Sequence, residues 1–129
     1  KLLETNKFLT FFGGEHSISI GVIEAFRNKY KNLTVLQIDA HADLRKDYMG
    51  TPYNHACAVH QASQTTNLIQ VGIRSMDSTE LPYLKRENVF FAEEMYGQTA
   101  WMGLYPAQSG CARQQSERAG VPVGCQRVR

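Results

Sequence analysis

The segment that decides the predicted fold is LTVLQIDAHADLR, residues 33–45. Its first half is apolar and contains β-branched residues, which predicts a buried strand over residues 33–38. Its second half carries Asp39, His41 and Asp43 at alternate positions, so their side chains would face the same way in extended backbone. Two carboxylates and an imidazole are costly to bury together unless a cation or hydrogen bonds compensate. The segment therefore predicts a metal site at the end of a strand, and the alternative is a hydrogen-bonded Asp-His-Asp cluster without a metal.

The composition is that of a globular protein with no polyanionic partner. Of the 129 residues, 43% are hydrophobic and 20% are charged, and the formal net charge is +2. We therefore expect neither a nucleic-acid partner nor a membrane partner, and no window has the apolar length of a transmembrane helix. The three cysteines form no C-x-x-C pair and no even-numbered disulfide framework, which favours a reducing, cytoplasmic setting. The first residues resemble the inside of a longer chain.

The character of the sequence changes near residue 102. Residues 1–102 carry a net charge of −1, whereas residues 103–129 carry a net charge of +3. The second stretch is rich in Gly, Pro, Gln, Ser and Arg and has neither a helical nor an alternating pattern. We therefore expect an α/β domain over residues 1–102, followed by a weakly ordered tail over residues 103–129.

A strand-helix-strand unit is predicted around the ligand-rich segment. The apolar run FLTFF, residues 8–12, predicts a buried strand, and apolar residues at helical spacing predict a helix over residues 17–30 with Ser17 as its N-cap. Parallel strands joined in this way have their carboxyl ends at the same edge of the sheet. His16 follows the first strand, and the Asp-x-His-x-Asp motif follows the second. We therefore expect four ligand-type side chains to meet at that edge.

The later elements continue the alternation of strands and helices. The patterns predict a loop over 46–54, a helix over 55–64 with Asn54 as its N-cap, strands over 67–73 and 88–91, a short helix or turn over 79–86, and a helix or loop over 92–102. This order indicates a three-layer α/β/α fold with a mostly parallel sheet. His55 would face the loop from the first helical turn, while we interpret His60 and Cys57 as structural residues.

Three motifs together resemble the ureohydrolase family, which includes arginases, agmatinases and formimidoylglutamases. The motifs are GGEHS (13–17), DAHAD (39–43) and NHAC (54–57), and the similarity to agmatinases is the strongest. The resemblance covers about residues 1–102. It implies an arginase-like α/β/α fold, truncated here, with a binuclear Mn²⁺ centre at the carboxyl edge of the sheet. It also implies a homo-oligomer, trimeric or hexameric.

The resemblance also implies a role for each matching residue. His16 and Asp43 match ligands of the first manganese, Asp39 matches the bridging carboxylate, and His41 matches a ligand of the second manganese. His55 matches the acid/base histidine near the substrate. The implied activity is manganese-dependent hydrolysis of a small guanidino compound, agmatine to putrescine and urea, in polyamine biosynthesis. Arginase-type and guanidinobutyrase-type substrates stay open, and ligand spacing does not separate manganese from zinc, iron or cobalt.

The sequence departs from the family pattern after residue 102. A second Asp-x-Asp motif, which would complete the ligands of the second metal, is absent, and about four of the family's eight strands are predicted. We therefore expect an N-terminal-half fragment that binds at most one divalent ion weakly and has little or no ureohydrolase activity. An inactive oligomerisation or regulatory product is the main alternative, and a metal-dependent deacetylase of a related fold is a further one. Arg45 is expected to point away from the pocket, because its charge would oppose cationic agmatine.

Overall fold

A four-stranded parallel sheet forms the centre of the structure, a computed structural model that describes residues 1–5 and 7–97 and the backbone of residues 120–125. The strands are β1 (Thr34–Ile38), β2 (Asn67–Ile73), β3 (Val89–Phe91) and β4 (Gly120–Cys125), in the order β3-β2-β1-β4. The helices are α1 (Ile18–Lys29), α2 (His60–Thr65) and α3 (Ala92–Met95), with 3₁₀ turns at Leu2–Thr5, His55–Cys57, Ser78–Tyr83 and Arg86–Asn88. All three strand pairings are parallel, which confirms the predicted α/β fold with a parallel sheet.

Helices cover both faces of this sheet. On one face, Ile23 and Phe26 of α1 and Ala62 of α2 belong to the larger cluster of buried side chains. On the other face, a smaller cluster of buried residues packs against Met95 of α3 and includes Phe90 of β3. Fully burying a side chain of this size contributes about 1.5–3 kcal/mol, so these two clusters fix the sheet between its helices. None of the described helices has the length and apolar character needed to cross a membrane.

The predicted strand over residues 8–12 is wrong. These residues have no regular secondary structure, and Phe8 and Phe12 are 84% and 94% exposed. The described residues contain four strands, but the fourth is β4, which pairs with every residue of β1 with one shift of register between Gln37 and Ile38. A strand needs a neighbour for its backbone hydrogen bonds, and β2 and β4 take the two sides of β1. A segment of the expected tail thus has regular structure, while all other tail residues lie outside the described residues, so the domain division near residue 102 stays a prediction.

The helix predictions hold in part. Helix α1 is confirmed, whereas the helix expected over residues 55–64 is interrupted before α2 begins. The interruption arises because the Val59 N–H donates to the Asp43 carbonyl oxygen (3.2 Å), outside any helix. The expected helix or turn over 79–86 is a 3₁₀ turn that contains Pro82, which has no N–H to donate. Helix α3 ends at Met95, and residues 98–102 of the last predicted element lie outside the described residues.

Gly72 of β2 is a position where we expect a substitution to destabilise the fold. Its φ is +87°, and a Cβ atom there would lie 3.3 Å from the Asp39 carbonyl oxygen. We expect Gly72→Ala to lower the free energy of unfolding by about 1–3 kcal/mol, because the backbone is left-handed and the space is tight. Urea unfolding followed by circular dichroism measures the change.

Gly21 provides a matched control for this substitution. It lies in α1, and nothing lies within 4 Å of the position that a Cβ would take. Gly21→Ala should raise the free energy of unfolding by about 0.5–1 kcal/mol, because alanine is the better helix former. Equal effects of the two substitutions would contradict the special role of Gly72.

Candidate metal centre

The loop that carries the acidic motif is tied by backbone hydrogen bonds to β2 and to the residues that follow this strand. The Asp39 N–H donates to the Val71 carbonyl oxygen (3.1 Å), and the Ala42 N–H donates to the Ser75 carbonyl oxygen (3.2 Å). Asp43 then adopts a φ of +52°, a left-handed conformation that Asp and Asn tolerate better than most residues. The chain therefore turns at Asp43 and does not continue as a strand, so strand alternation does not set where its side chains lie.

Three of the predicted ligands meet at the carboxyl end of β1. The Nδ1 atom of His16 lies 2.6 Å from Oδ2 of Asp43 and 3.5 Å from Oδ2 of Asp39. One ligand atom from each of the three residues lies within 4.8 Å of the other two. The residues are 6–8% exposed, so this cluster of two carboxylates and an imidazole is almost removed from water. Such a donor set can hold a divalent cation.

The electrostatics of this cluster fit a cation. Burial lowers the pKa of His16, but the hydrogen bond to Asp43 and the charges of Asp43, Asp39 and Glu15 outweigh burial and raise it overall. Among the described residues, His16 Nε2 and Asp39 Oδ2 are buried and have no hydrogen-bond partner. An unsatisfied buried group costs about 1–3 kcal/mol, and more if it is charged. A divalent ion would compensate the carboxylate charge, and mixed N and O ligands are of the kind that bind divalent first-row metals.

His41 lies apart from this group, at its rim. Its side chain is 52% exposed, and its Nδ1 is 3.5 Å from Oδ1 of Asp39. The His41 backbone N–H also donates to that oxygen, at 3.0 Å. Asp39 therefore directs one oxygen toward His41 and the other toward His16. The structure brings together three of the four expected ligands and leaves the fourth within reach of the shared carboxylate.

His55 lies on the same side of the molecule, at the beginning of a 3₁₀ turn. The side chain of Asn54 caps this turn by accepting a hydrogen bond from the Ala56 N–H (3.1 Å), as predicted. The imidazole of His55 is 57% exposed and its Nδ1 lies 3.3 Å from Oε1 of Glu15. Its ring also contacts Tyr48, with 5.9 Å between the ring centroids. His55 is therefore accessible and paired with a carboxylate.

An open cleft of about 570 Å³ connects these side chains. Its lining includes His16, His41, Asp43, Arg45, Tyr48 and His55. The expectation that Arg45 points away from the pocket is wrong, because Arg45 lies on the wall of this cleft. There its Nη2 is 3.1 Å from Oδ2 of Asp77, and its guanidinium lies 5.0 Å from the ring centroid of Tyr48. The charge of Arg45 is thus matched by a carboxylate within the wall.

Three buried polar residues that support the loop were missed in the sequence. Gln37 and Gln70 are 0% and 1% exposed, and their amides reach the carbonyls of residues 41 and 42. Glu80 is 5% exposed and accepts the backbone N–H of Leu44 at 2.7 Å. A signal existed for the two glutamines, since each interrupts an otherwise apolar strand. The interpretation of Cys57 as a structural residue agrees with its burial, which raises the pKa of its thiol.

Comparison with known proteins identifies relatives that match most of the chain. The N(1)-aminopropylagmatine ureohydrolase of Synechocystis sp. is 35% identical over 104 residues, which are 78% of this chain and 34% of the relative. The agmatinase of Bacillus subtilis is 36% identical over 95 residues, 71% of this chain and 33% of the relative. The chain therefore spans about a third of the length of these relatives.

Solved structures with a similar fold carry related names. The arginase from Bacillus cereus superposes with a TM-score of 0.71 at 26% identity, covering 84% of this chain and 45% of the arginase. The agmatine ureohydrolase of Thermoplasma volcanium gives a TM-score of 0.63 at 28% identity, covering 85% and 37%. These similarities confirm the arginase-like fold. The family model described as "Arginase family" matches residues 1–102, well over half of the chain, and so this protein belongs to the arginase family.

Proposed function

We propose that this chain supplies part of the active site of a divalent-metal-dependent hydrolase that releases urea from a small guanidino compound, with agmatine as the substrate and putrescine as the other product. The observation that carries the proposal is the buried His16–Asp39–Asp43 group, which borders an open cleft and in which no described residue donates a hydrogen bond to Asp39 Oδ2. Relatives named agmatinase support the choice of substrate.

His16, Asp39 and Asp43 would hold the ion, and Mn²⁺ is the metal we propose. When bound, such an ion would supply Lewis acidity and would lower the pKa of a water molecule that it binds toward neutrality. The two oxygens of Asp39 face different histidines, His16 and His41, which supports a bridging role for this carboxylate. The described residues would provide most of the ligands of one ion and only part of those of a second.

His55 is the residue we propose to move a proton. Hydrolysis of a guanidino compound leaves an amine, which must be protonated as it departs, and a histidine within reach is the usual donor. His55 lines the cleft, and Glu15 beside it can pair with the imidazole when the ring carries its second proton. Glu15 itself stays ionised, because its hydrogen bonds to Ser17 lower its pKa more than burial raises it.

A cationic substrate is compatible with the charges around the cleft. Arg45 is the one described arginine in its lining, and Asp77 pairs with it. Glu15 adds a further carboxylate, so the wall offers negative charge to a guanidinium. Trimeric or hexameric assembly belongs to the same proposal and rests on the family resemblance, and so does a cytoplasmic setting, which rests on the cysteine pattern.

The alternative is a structural Asp-His-Asp cluster in a non-catalytic protein. The 2.6 Å contact between His16 and Asp43 would satisfy that alternative, since it pairs an imidazole with a carboxylate. It leaves Asp39 Oδ2 without a hydrogen bond from any described residue, although this oxygen is buried and lies 3.5 Å from His16 Nδ1. Because buried polar groups are normally hydrogen-bonded, this oxygen favours the metal site.

Calorimetric titration of the purified chain with Mn²⁺, in parallel with Zn²⁺ and Co²⁺, tests the metal site directly. We expect at most one ion per chain, bound weakly. Urea release from agmatine, arginine and guanidinobutyrate is then compared for the chain and for any longer protein that contains it. We expect little turnover by the chain itself, and preference for agmatine wherever turnover occurs. Absence of any ion binding would contradict the proposed site, and preference for arginine would contradict the proposed substrate.

A further inference from the structure

We propose that Gln37 and Gln70 form a positioning pair, which we call the glutamine clamp, that holds the loop between Asp39 and Asp43 in its metal-binding conformation. The proposal rests on the metal site proposed above. The two residues face each other across β1 and β2, where Gln37 is the register partner of Gln70. Both lie in the interior, at 0% and 1% exposure.

The hydrogen bonds of the clamp lead from the sheet to the loop. Gln70 Nε2 donates to Gln37 Oε1 (2.6 Å) and to the Ala42 carbonyl oxygen (2.8 Å). Gln37 Nε2 donates to the His41 carbonyl oxygen (3.1 Å). Residues 41 and 42 lie directly between the two ligand carboxylates. The clamp therefore fixes two successive carbonyls of the segment that separates Asp39 from Asp43.

Stability alone does not explain two amides at the centre of a sheet. Burying an amide is costly without hydrogen bonds, and replacing both partners of a buried pair with apolar groups of similar shape can be nearly neutral for folding. The loop has a specific need for external support, because Asp43 holds a left-handed φ of +52° that its own backbone does not favour. Groups that orient metal ligands typically affect affinity without contacting the ion.

A double substitution separates positioning from folding. Gln37→Met with Gln70→Met removes both amides, keeps the side-chain length and leaves neither amide without the other. Two carbonyl oxygens of the loop, at residues 41 and 42, lose a donor, so we expect the full chain to fold with a loosened loop. The matched control is Gln61→Met, which changes an exposed glutamine of α2. Should the double variant fail to fold, Gln37→Met alone is used, because Gln70 then keeps its bond to the Ala42 carbonyl.

Two readouts test the clamp, one of them in the absence of metal. Hydrogen exchange of the metal-free chain, followed by NMR, should show the amides of residues 41, 42 and 44 exchanging about tenfold faster in the double variant, with β1 and β2 amides unchanged. Mn²⁺ affinity measured by calorimetry should fall about 10- to 100-fold. The control should change neither quantity.

The outcomes distinguish this inference from the function on which it rests. Unchanged exchange in the loop would overturn the clamp whatever the metal does. Where the native chain binds Mn²⁺, an equal affinity of the double variant would also overturn it. If the native chain bound no Mn²⁺ but the loop amides exchanged faster in the variant, the clamp would stand as a support of the loop, and the proposed metal function would fail.

Discussion

Asp43→Asn is expected to weaken Mn²⁺ binding by at least about 100-fold, beyond the loss of about 10- to 100-fold that follows changes to groups which only support ligands. Asn keeps the shape of the side chain and tolerates the φ of +52° at this position, whereas Ala would add backbone strain. The substitution removes the negative charge that lies 2.6 Å from His16 Nδ1. Calorimetric titration of the folded variant with Mn²⁺ gives the change in affinity.

Asp47→Asn is the matched control, because Asp47 is exposed, lies four residues further along and loses the same charge. We expect its affinity for Mn²⁺ to stay within about twofold of the native value, since exposed charges are well screened. His41→Ala should have a much smaller effect than Asp43→Asn, because His41 lies outside the three-residue group. If the Asp43→Asn variant bound Mn²⁺ as tightly as the native chain, the ion would have to bind elsewhere.

Glu80→Ala is expected to lower the free energy of unfolding by about 3–5 kcal/mol, a larger loss of stability than that expected for Gly72→Ala. Both oxygens of Glu80 accept backbone hydrogen bonds at 2.7 Å, from the N–H groups of Leu44 and Asp77. Leu44 is fully buried, so its N–H would have no replacement partner. Each unsatisfied buried group costs about 1–3 kcal/mol, and hydrogen bonds to charged groups are the stronger ones. Chemical unfolding measured by circular dichroism tests this value.

Glu80→Gln and Glu24→Ala complete the series. Gln keeps one acceptor oxygen and should lose roughly half as much stability as Ala. Glu24 is an exposed residue of α1, so Glu24→Ala should change the free energy of unfolding by less than about 0.5 kcal/mol. A Glu80→Ala variant as stable as the Glu24 variant would mean that the N–H groups of Leu44 and Asp77 find other acceptors.

Local sequence patterns predict a helix or strand correctly where its apolar residues recur at the spacing of that element. The apolar runs of β1 and β2 and the helical spacing in α1 predicted these elements to within a residue or two. The FLTFF run has the same composition as a buried strand, yet residues 8–12 lie outside the sheet. Composition records the tendency of a segment to be extended, but whether a strand forms depends on a free neighbour. That neighbour lies far along the chain, so local sequence could not identify it.

Some positions in the candidate site could also be predicted from the sequence, and others could not. Asp39 and Asp43 follow β1 as predicted, whereas His16 joins them without the strand over residues 8–12 on which its predicted place depended. The alternation that would bring His41 to the same group fails because β1 ends at Ile38 and the backbone bends at residue 40. The contact of Arg45 with Asp77 depends on a loop more than thirty residues away. Such tertiary pairs carry no periodic signal in the sequence.

The sheet register also bears on the order in which the chain folds. Thr34 pairs with Asn67 in β2 and with Gly120 in β4, so β1 closes loops of 33 and 86 residues. The longer closure costs about 0.9 kcal/mol more in chain entropy, and distant pairings slow folding. We therefore expect β1 to pair with β2 before β4 is added. Since every member of the buried ligand group precedes residue 44, the metal-binding loop can be assembled on a partial sheet before the last strand arrives.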